Sequence, residues 1–209
     1  MRLRARDDIH LARRLWHMSG VLLVFVLYWN MTYRTAVFSV FTVSAFMITY
    51  DVARLWFPQL NQLFLVFFGR VLRESERNRI AGSTFMCLGI TLSVIVFPKE
   101  VVLLMLLFFA TADPLASYFG IRFGKDKLIG NKTLQGSLAA FVACFLVSTI
   151  YFYTMDLMRE RLFIVCLLSG LIGALSELVP IGKLDDNLVF PVLSSTLLTG
   201  MFYIFGGLI

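Results

Sequence analysis

The sequence has 209 residues, of which 59% are hydrophobic and only 15% are charged, and its mean hydropathy is +0.82. A soluble domain of this length could not bury so much apolar surface, and such domains carry about a quarter charged residues. The composition therefore excludes an ordinary soluble fold and predicts an all-α, polytopic integral membrane protein. The three cysteines stand alone in apolar runs, so the sequence indicates neither a disulfide framework nor a cysteine-based zinc site.

Seven apolar runs have the length of a transmembrane helix, which needs about 20 residues to cross the hydrocarbon core. In chain order they lie at 15–33, 35–57, 80–97, 101–120, 134–154, 162–182 and 188–208. The run at 60–72 is too short to span and ends in charged residues, which predicts an amphipathic segment at the membrane interface. We therefore expect a single membrane domain over residues 1–209 with about seven transmembrane helices.

The net charge of +6 is distributed unevenly among the loops between these runs. With seven spans and a cytoplasmic N-terminus, 15 of the 19 basic residues lie on the cytoplasmic side; the other four are Arg34, Lys99, Arg159 and Arg161. This distribution obeys the positive-inside rule, so we expect the N-terminus in the cytoplasm. A basic cytoplasmic face suits anionic lipid headgroups or a polyphosphate.

Asp113 lies inside the fourth span, about two turns before its cytoplasmic end. A carboxylate at that depth is costly, which favours a functional role over a structural kink. Pro114 follows it, so we expect a break in the helix that lines a cavity or an ion site.

More carboxylates are expected on the same side of the membrane. Glu177 lies near the cytoplasmic end of the sixth span, and Asp185, Asp186 and Asn187 precede the seventh. Oxygen ligands without histidine or thiolate suit Mg²⁺, so Asp113, Glu177 and Asp186 are candidate metal ligands. Asp185 has two interpretations, as part of this site or as the N-cap of the last helix.

A basic, glycine-containing loop joins spans four and five. Its cations and the start of span five supply candidate binding groups for a polyphosphate, namely Arg122, Lys125, Lys127, Lys132, Thr133 and Gly136. The loop lacks the GxxxxGK[ST] pattern and is not a Walker A motif. In the first helix, Arg13, Arg14 and His17 can share a helical face at the cytoplasmic boundary, either as an interfacial anchor or as phosphate ligands.

These motifs, in this order, resemble those of the CTP-dependent lipid kinases, a family of dolichol, polyprenol, phytol and diacylglycerol kinases. The most specific part is segment 112–137, with ADPLA at 112–116, GIRFGK at 120–125 and KTLQGS at 132–137. The sequence RRLWH at 13–17 and the charged run before Gly82 also fit the family pattern. One position departs from it, because Gln135 stands where the family commonly has Glu.

The resemblance implies phosphoryl transfer from CTP to the hydroxyl of a membrane lipid alcohol: a polyprenol, a phytol-like alcohol or a diacylglycerol. Asp113 would bind Mg²⁺ or accept the hydroxyl proton, Glu177 and Asp186 would complete the metal site, and Asn187 would orient a ligand. The nucleotide would be bound by the basic residues of the first helix and of the loop between spans four and five, namely Arg14, His17, Arg122, Lys125, Lys127 and Lys132. We expect the acceptor to enter between helices lined by small residues such as Ala116, Ser117 and Gly136.

Two other function classes compete with a kinase. A cytidylyltransferase would make a CDP-lipid from a lipid phosphate, but the long C-terminal motifs of the related CDP-diacylglycerol synthases do not occur after residue 140. A transporter would typically show internal repeats and paired broken helices, and the sequence has a single Asp-Pro pair within its spans. We expect a nucleotide, a lipid and the bilayer as partners, and no nucleic acid; the sequence leaves the oligomeric state open.

Overall fold

Eight α-helices and one short hairpin make up most of residues 11–207, the part of the chain that the structure, a computed structural model, describes. The helices are α1 (Leu11–Asn30), α2 (Tyr33–Trp56), α3 (Pro58–Phe68), α4 (Gly82–Val96), α5 (Lys99–Phe123), α6 (Leu134–Thr154), α7 (Leu162–Leu178) and α8 (Asp186–Phe205). Strands β1 (Lys127–Ile129) and β2 (Lys132–Thr133) pair antiparallel between α5 and α6. The all-α prediction is confirmed.

Six of the described helices are long and apolar enough to cross a membrane: α1, α2, α5, α6, α8, and α7 together with the 3₁₀ turn before it. Helix α4, predicted as a span, has 15 residues and a length of roughly 22 Å, against about 30 Å of hydrocarbon core. The protein is therefore a polytopic membrane protein, and the count of seven spans stays a prediction. The N-terminal residues 1–10 lie outside the described part of the chain.

Helix α4 nevertheless extends between the same two ends of the bundle as its neighbour α2. At its start, Thr84 Oγ1 donates to Asp51 Oδ2 near the end of α2 at 2.6 Å. At its other end, the hydroxyl of Tyr33, the first residue of α2, donates to the carbonyl oxygen of Ile95 at 3.2 Å. The two helices therefore run antiparallel, as the predicted alternation requires.

Helix α5 is the central helix of the bundle, in contact with α1, α4, α6, α7 and α8. Its first half is almost wholly buried, because its side chains between residues 101 and 106 are apolar on every face. The predicted break at Asp113 is wrong: the helix continues through the buried Pro114 to Phe123. Proline removes one backbone donor, and the helices packed around α5 hold it in helical geometry all the same.

The wholly buried guanidinium of Arg54 anchors the segment between α3 and α4. It pairs with Asp51 one turn earlier on α2 and donates to the carbonyl oxygen of Arg79 at 2.7 Å. It also donates to the side chain of Asn61 at 3.0 Å, and Asp51 Oδ2 accepts the N–H of Ala81 at 2.7 Å. One ion pair on α2 thus fixes the entry into α4.

We expect Arg54→Ala to lower the free energy of unfolding by about 3–5 kcal/mol, because it leaves the Asp51 carboxylate buried without its cation. Thermal unfolding in detergent measures the loss. The matched control is Arg77→Ala, since Arg77 makes an exposed pair with Glu74 at 4.0 Å and should cost about 0.5 kcal/mol or less. Equal unfolding temperatures for the two variants would contradict this assignment.

Candidate active site

Polar groups from five parts of the chain meet at one end of the bundle. The start of α1, the segment 70–81, the end of α5, the β-hairpin and the α7–α8 connection all contribute side chains there. The structure brings together Asp113, Lys132, Glu177 and Asp186, although they are up to 73 residues apart in sequence. At the other end of the bundle lies Lys99, which the sequence predicted on the opposite side of the membrane. It donates to the carbonyl oxygens of Trp29 and Met31, where α1 ends.

Two polar cavities open at this end, and they share a wall. The hairpin cavity, of about 480 Å³, lies between α5, the β-hairpin and the ends of α6, α7 and α8. The loop cavity, of about 600 Å³, lies between α1, the segment 70–81, α5 and the residues before α8. Both have the size of ordinary small-molecule sites. Residues that line both cavities are Arg73, Asp113, Ser117 and Asp186.

Lys132 ties the carboxylates of the hairpin cavity together. Its Nζ lies 2.5 Å from Glu177 Oε1 and 3.4 Å from Asp186 Oδ2, so one ammonium joins the end of α7 to the start of α8. Burial opposes the charge on Lys132, but the charges of Glu177, Asp186 and Asp113 outweigh it and raise the pKa of the lysine. Lys132 is therefore held as a cation that positions Glu177 and Asp186.

The carboxylates do not form a preassembled metal cluster. Within residues 11–207, no three side chains of His, Cys, Asp and Glu are grouped closely enough to hold an ion. Lys132 neutralises Glu177, whereas Asp113 and Asp186 both line the two cavities. Mg²⁺ in nucleotide enzymes is commonly bound by one or two carboxylates together with phosphate oxygens and water. The donor set present fits an ion of that kind.

Arg14 has the features of an anion ligand. Its Nη2 donates to Ser117 Oγ at 2.9 Å, and its guanidinium carbon lies 5.7 Å from the ring centre of Tyr118. Its Nη1 is buried and has no hydrogen-bond partner among the described residues. A buried donor without a partner is costly, so it indicates a missing acceptor on the loop-cavity side of α1.

His17 lines the same cavity one turn further along α1. Its Nε2 lies 3.2 Å from the carbonyl oxygen of Phe109, and its ring packs edge-on against the Phe109 ring at 4.5 Å. Phe109 stands one turn before Asp113 on α5. His17 thus fixes α1 against the part of α5 that precedes Asp113, and its predicted contact with a nucleotide stays a prediction.

Thr133 and the glycines around it bring α5 and α6 into close contact. Thr133 Oγ1 accepts the N–H of Gly136 at 3.2 Å and caps α6. A Cβ on Gly136 would lie 2.7 Å from the carbonyl oxygen of Ala116, and one on Gly124 would lie 2.7 Å from the Thr133 methyl group. The small residues therefore let the two helices approach closely beside the hairpin cavity, whose lining includes Ala116 and Gly136.

The three remaining predicted cations all lie on the exposed surface around the hairpin. Lys127 lines the hairpin cavity, so the fold supports its predicted role in binding an anion. Arg122 donates to the hydroxyl of Tyr118 at 3.3 Å, and Lys125 is two residues past the end of α5. The structure thus places Lys127 in the site and Arg122 and Lys125 outside the linings of both polar cavities.

Gln135 braces the loop before the hairpin. Its Oε1 accepts the N–H of Lys125 at 3.0 Å, and its Nε2 donates to Asp126 Oδ2 at 2.9 Å. A glutamate here would accept the same N–H but would repel Asp126, so the amide suits this loop. Gln135, which stands where the family commonly has Glu, therefore stabilises this loop in the present chain.

At the start of α8, Asp185 caps the helix and also lines the loop cavity. Its Oδ1 accepts the backbone N–H of Asn187 at 2.9 Å and the Asn187 side-chain amide at 2.8 Å, which makes Asp185 the N-cap. Asp186 is the first helical residue and lines both cavities. The cap thus orients Asn187 and fixes Asp186 at the shared wall.

The sequence did not identify the ion pair between Arg13 and Glu76 as part of the site. The two side chains make a double hydrogen bond at 2.6 and 2.8 Å, and Glu76 also accepts the N–H groups of Arg73 (2.7 Å) and Gly82 (2.8 Å). A Cβ on Gly82 would lie within 3 Å of side-chain atoms of Arg13, Glu76 and Asn187, so a larger residue there would have to displace them. Burial opposes ionisation of Glu76, but Arg13 and the two N–H groups outweigh it and lower the pKa of the carboxyl.

Three more cations of the loop cavity were also missed as site residues: Arg73, Arg79 and Lys183. Arg73 and Arg79 flank a run of alternating charges that reads as a solvated surface. The signal that could have found them is the glycine that ends this run, because Gly82 permits the close approach of charged groups to α4.

Comparison with known proteins decides the family. CTP-dependent diacylglycerol kinase 1 of Schizosaccharomyces pombe is 36% identical to the chain over 160 residues, which make up 72% of this chain and 73% of the relative. The chain belongs to the CTP-dependent lipid kinase family. Proteins of the same name from Saccharomyces cerevisiae and Eremothecium gossypii are 26% and 29% identical to this lipid kinase. These matches cover 88% and 69% of this chain, and 70% and 52% of those relatives.

No protein-family model and no solved structure matches the lipid kinase. The named relatives bear out the prediction of a membrane-bound transferase that uses CTP to phosphorylate a lipid. Because these relatives are kinases, the cytidylyltransferase and transporter alternatives are set aside.

We expect Glu76→Gln to destabilise the lipid kinase at pH 7 by about 3 kcal/mol, since it removes the carboxylate from a buried ion pair. Because folding lowers the pKa of Glu76, its stabilising contribution is complete above the ordinary value of 4.5 and is lost as the pH falls through the lower folded value. The gap in unfolding temperature between wild type and variant should therefore narrow below about pH 4.5. A gap that is constant from pH 7 to pH 3.5 would contradict an ionised Glu76.

Proposed function

We propose that this lipid kinase transfers the γ-phosphoryl group of CTP to the hydroxyl of diacylglycerol in an Mg²⁺-dependent reaction, within one membrane domain. The observation that carries the proposal is the position of Asp113, a carboxylate on the wall that two polar cavities share. Diacylglycerol is favoured as the acceptor because it is the lipid in the names of the three fungal relatives. Polyprenol and phytol-like alcohols are the competing acceptors.

Cations on both sides of Asp113 support binding of a triphosphate. Lys127 lines the hairpin cavity, and Arg14 and Lys183 line the loop cavity. The unpaired Nη1 of Arg14 supplies a donor for a phosphate oxygen. Lys132 keeps Glu177 and Asp186 in place. The positive charges of Lys127, Arg14 and Lys183 offset the negative charge of the nucleotide. Positioning and charge neutralisation are the main contributions that a protein makes to phosphoryl transfer.

Asp113 and Asp186 are the residues that would hold Mg²⁺ together with the phosphates. When bound, the ion would neutralise charge on the β- and γ-phosphoryl oxygens. Glu177, paired with Lys132, would stay outside this set and position Asp186 through the shared ammonium.

In the proposed reaction, the acceptor oxygen attacks the γ-phosphorus and forms the new O–P bond. The bond between the γ-phosphorus and the bridging oxygen breaks, and CDP leaves with the electron pair. The proton of the hydroxyl passes to Asp113 where that carboxylate serves as the general base instead of as an ion ligand. Its place on the wall between the cavities lets it reach an acceptor on one side and a nucleotide on the other.

The orientation of the enzyme follows from its charges. The cavities lie at the end of the bundle that carries the segment 70–81 and the loop 121–133, which together hold eight of the 13 basic residues between the predicted spans. The positive-inside rule assigns such an end to the cytoplasm, where CTP is available. We therefore propose that the active site faces the cytoplasm.

We expect Asp113→Asn to reduce kcat by roughly 10³-fold. The amide neither accepts the proton of the hydroxyl nor supplies a negative charge that could bind Mg²⁺. Transfer of label from γ-labelled CTP to diacylglycerol in detergent micelles measures it. Asp156→Asn is the matched control: Asp156 lies at the opposite end of the bundle in an exposed pair with Arg159, in a left-handed conformation that asparagine tolerates.

Both variants should elute as wild type does in size-exclusion chromatography and should unfold at similar temperatures. Near-normal turnover of a folded Asp113→Asn protein would remove Asp113 from the mechanism. Label that enters a polyprenol but no diacylglycerol would reassign the acceptor.

A further inference from the structure

A third cavity lies beside the two polar ones, and its walls are of the opposite character. This aromatic cavity, of about 330 Å³, lies between α1, α2, α3 and the start of α4. Its apolar lining includes Trp16, Phe46, Met47, Tyr50, Phe68 and Met86. The proposed reaction of Asp113 makes no use of this space.

The rings in its wall form an unbroken chain across three helices. Trp16 of α1 packs against Phe68 of α3 with ring centres 6.0 Å apart, and Phe68 packs against Phe64 at 5.2 Å. Phe64 then meets Tyr50 of α2 at 5.8 Å, and Tyr50 stacks on Phe46 at 6.2 Å. Rings held in such contacts give a stable apolar wall that suits a hydrocarbon ligand.

Charged groups enter this lining from the side of the loop cavity. Arg13, His17, Glu76 and Asn187 line both the aromatic cavity and the loop cavity, so the two spaces share a wall. His17 also contacts Phe109, one turn before Asp113. A molecule with an apolar body in the aromatic cavity can therefore place a polar end toward the catalytic carboxylate.

The opposite rim faces outward. Trp16 and Phe46 are 52% and 66% exposed, although both are large apolar side chains of helices long enough to span the membrane. Side chains of this kind on a membrane helix are covered by lipid. The aromatic cavity thus opens toward hydrocarbon at one side and toward the charged site at the other.

We propose that the aromatic cavity seats an apolar chain of the lipid acceptor, with the acceptor hydroxyl directed past His17 and Asn187 toward Asp113. The proposal rests on the lipid kinase function proposed above and adds the route and the seat of the acceptor. The sequence-based expectation placed the acceptor between helices lined by small residues such as Ala116, Ser117 and Gly136. Those residues line the hairpin cavity, whose charged walls suit phosphate better than an apolar chain. An amphipathic ligand matches the change from apolar to charged lining, because each part of it meets a surface of its own kind.

The first test fills the cavity. Met47→Trp should raise the KM for a long-chain diacylglycerol by about tenfold or more, since a displaced apolar chain loses its buried contacts. The KM for CTP and the turnover of a dibutyryl acceptor should stay as in wild type. The control is Val43→Trp, which adds the same ring one turn earlier on α2 at an exposed position outside the cavity. Equal KM values for the two variants would overturn the proposal.

The second test uses the wild-type enzyme and needs no turnover. A diacylglycerol with a diazirine in its acyl chain is photolysed with the protein in the absence of nucleotide, and the labelled peptides are identified by mass spectrometry. Label within residues 46–86 supports the aromatic cavity, and label confined to α5 and α6 overturns it. This test also decides the matter if Met47→Trp does not fold.

The experiments distinguish an error in the proposed reaction from an error in the proposed lipid seat. If wild type phosphorylates no lipid but the photolabel enters residues 46–86, the proposed reaction is wrong and the lipid seat stands. If wild type phosphorylates diacylglycerol while the label and the Met47→Trp kinetics exclude the aromatic cavity, the reaction stands and the seat is wrong.

Discussion

The ion pair between Arg13 and Glu76 is the interaction on which the rest of the active site depends. It joins α1 to the segment before α4, and it forms part of the wall between a charged cavity and an apolar one. A buried pair of this kind persists only when its remaining hydrogen-bond sites are filled, and here the N–H groups of Arg73 and Gly82 and the carbonyl of Val71 fill them. The pair thus lets one fold present two unlike surfaces a few ångströms apart.

Such a separation suits the chemical problem of a lipid kinase, whose two substrates prefer opposite surroundings. Charged groups at the polar end are held in pairs or beside cavities, as when Lys132 joins Glu177 to Asp186 and offsets the cost of burying Glu177. Asp113 stands on the side of α5 that faces both polar cavities. The central helix therefore positions the proposed base, and the surrounding helices bring the substrates to it.

Hydropathy and the spacing of charges predicted most of the helices, because the cost of exposing a polar backbone to lipid leaves few alternatives to apolar helices of spanning length. The positions of Glu177 and Asp186 near Asp113 followed from the same alternation. The expected break at Pro114 was wrong, since packing around α5 overrides the local preference. The partnership of Arg13 and Glu76 spans 63 residues, and such a pairing has no local sequence signal.

The most direct test of this account follows the two ends of the nucleotide separately. The wild-type protein is incubated in micelles with diacylglycerol, Mg²⁺ and CTP labelled either at the γ-phosphorus or at the α-phosphorus. The account predicts that the γ label enters the lipid while the α label remains in CDP. Appearance of the α label in the lipid, or of no lipid-bound label from either nucleotide, would contradict it.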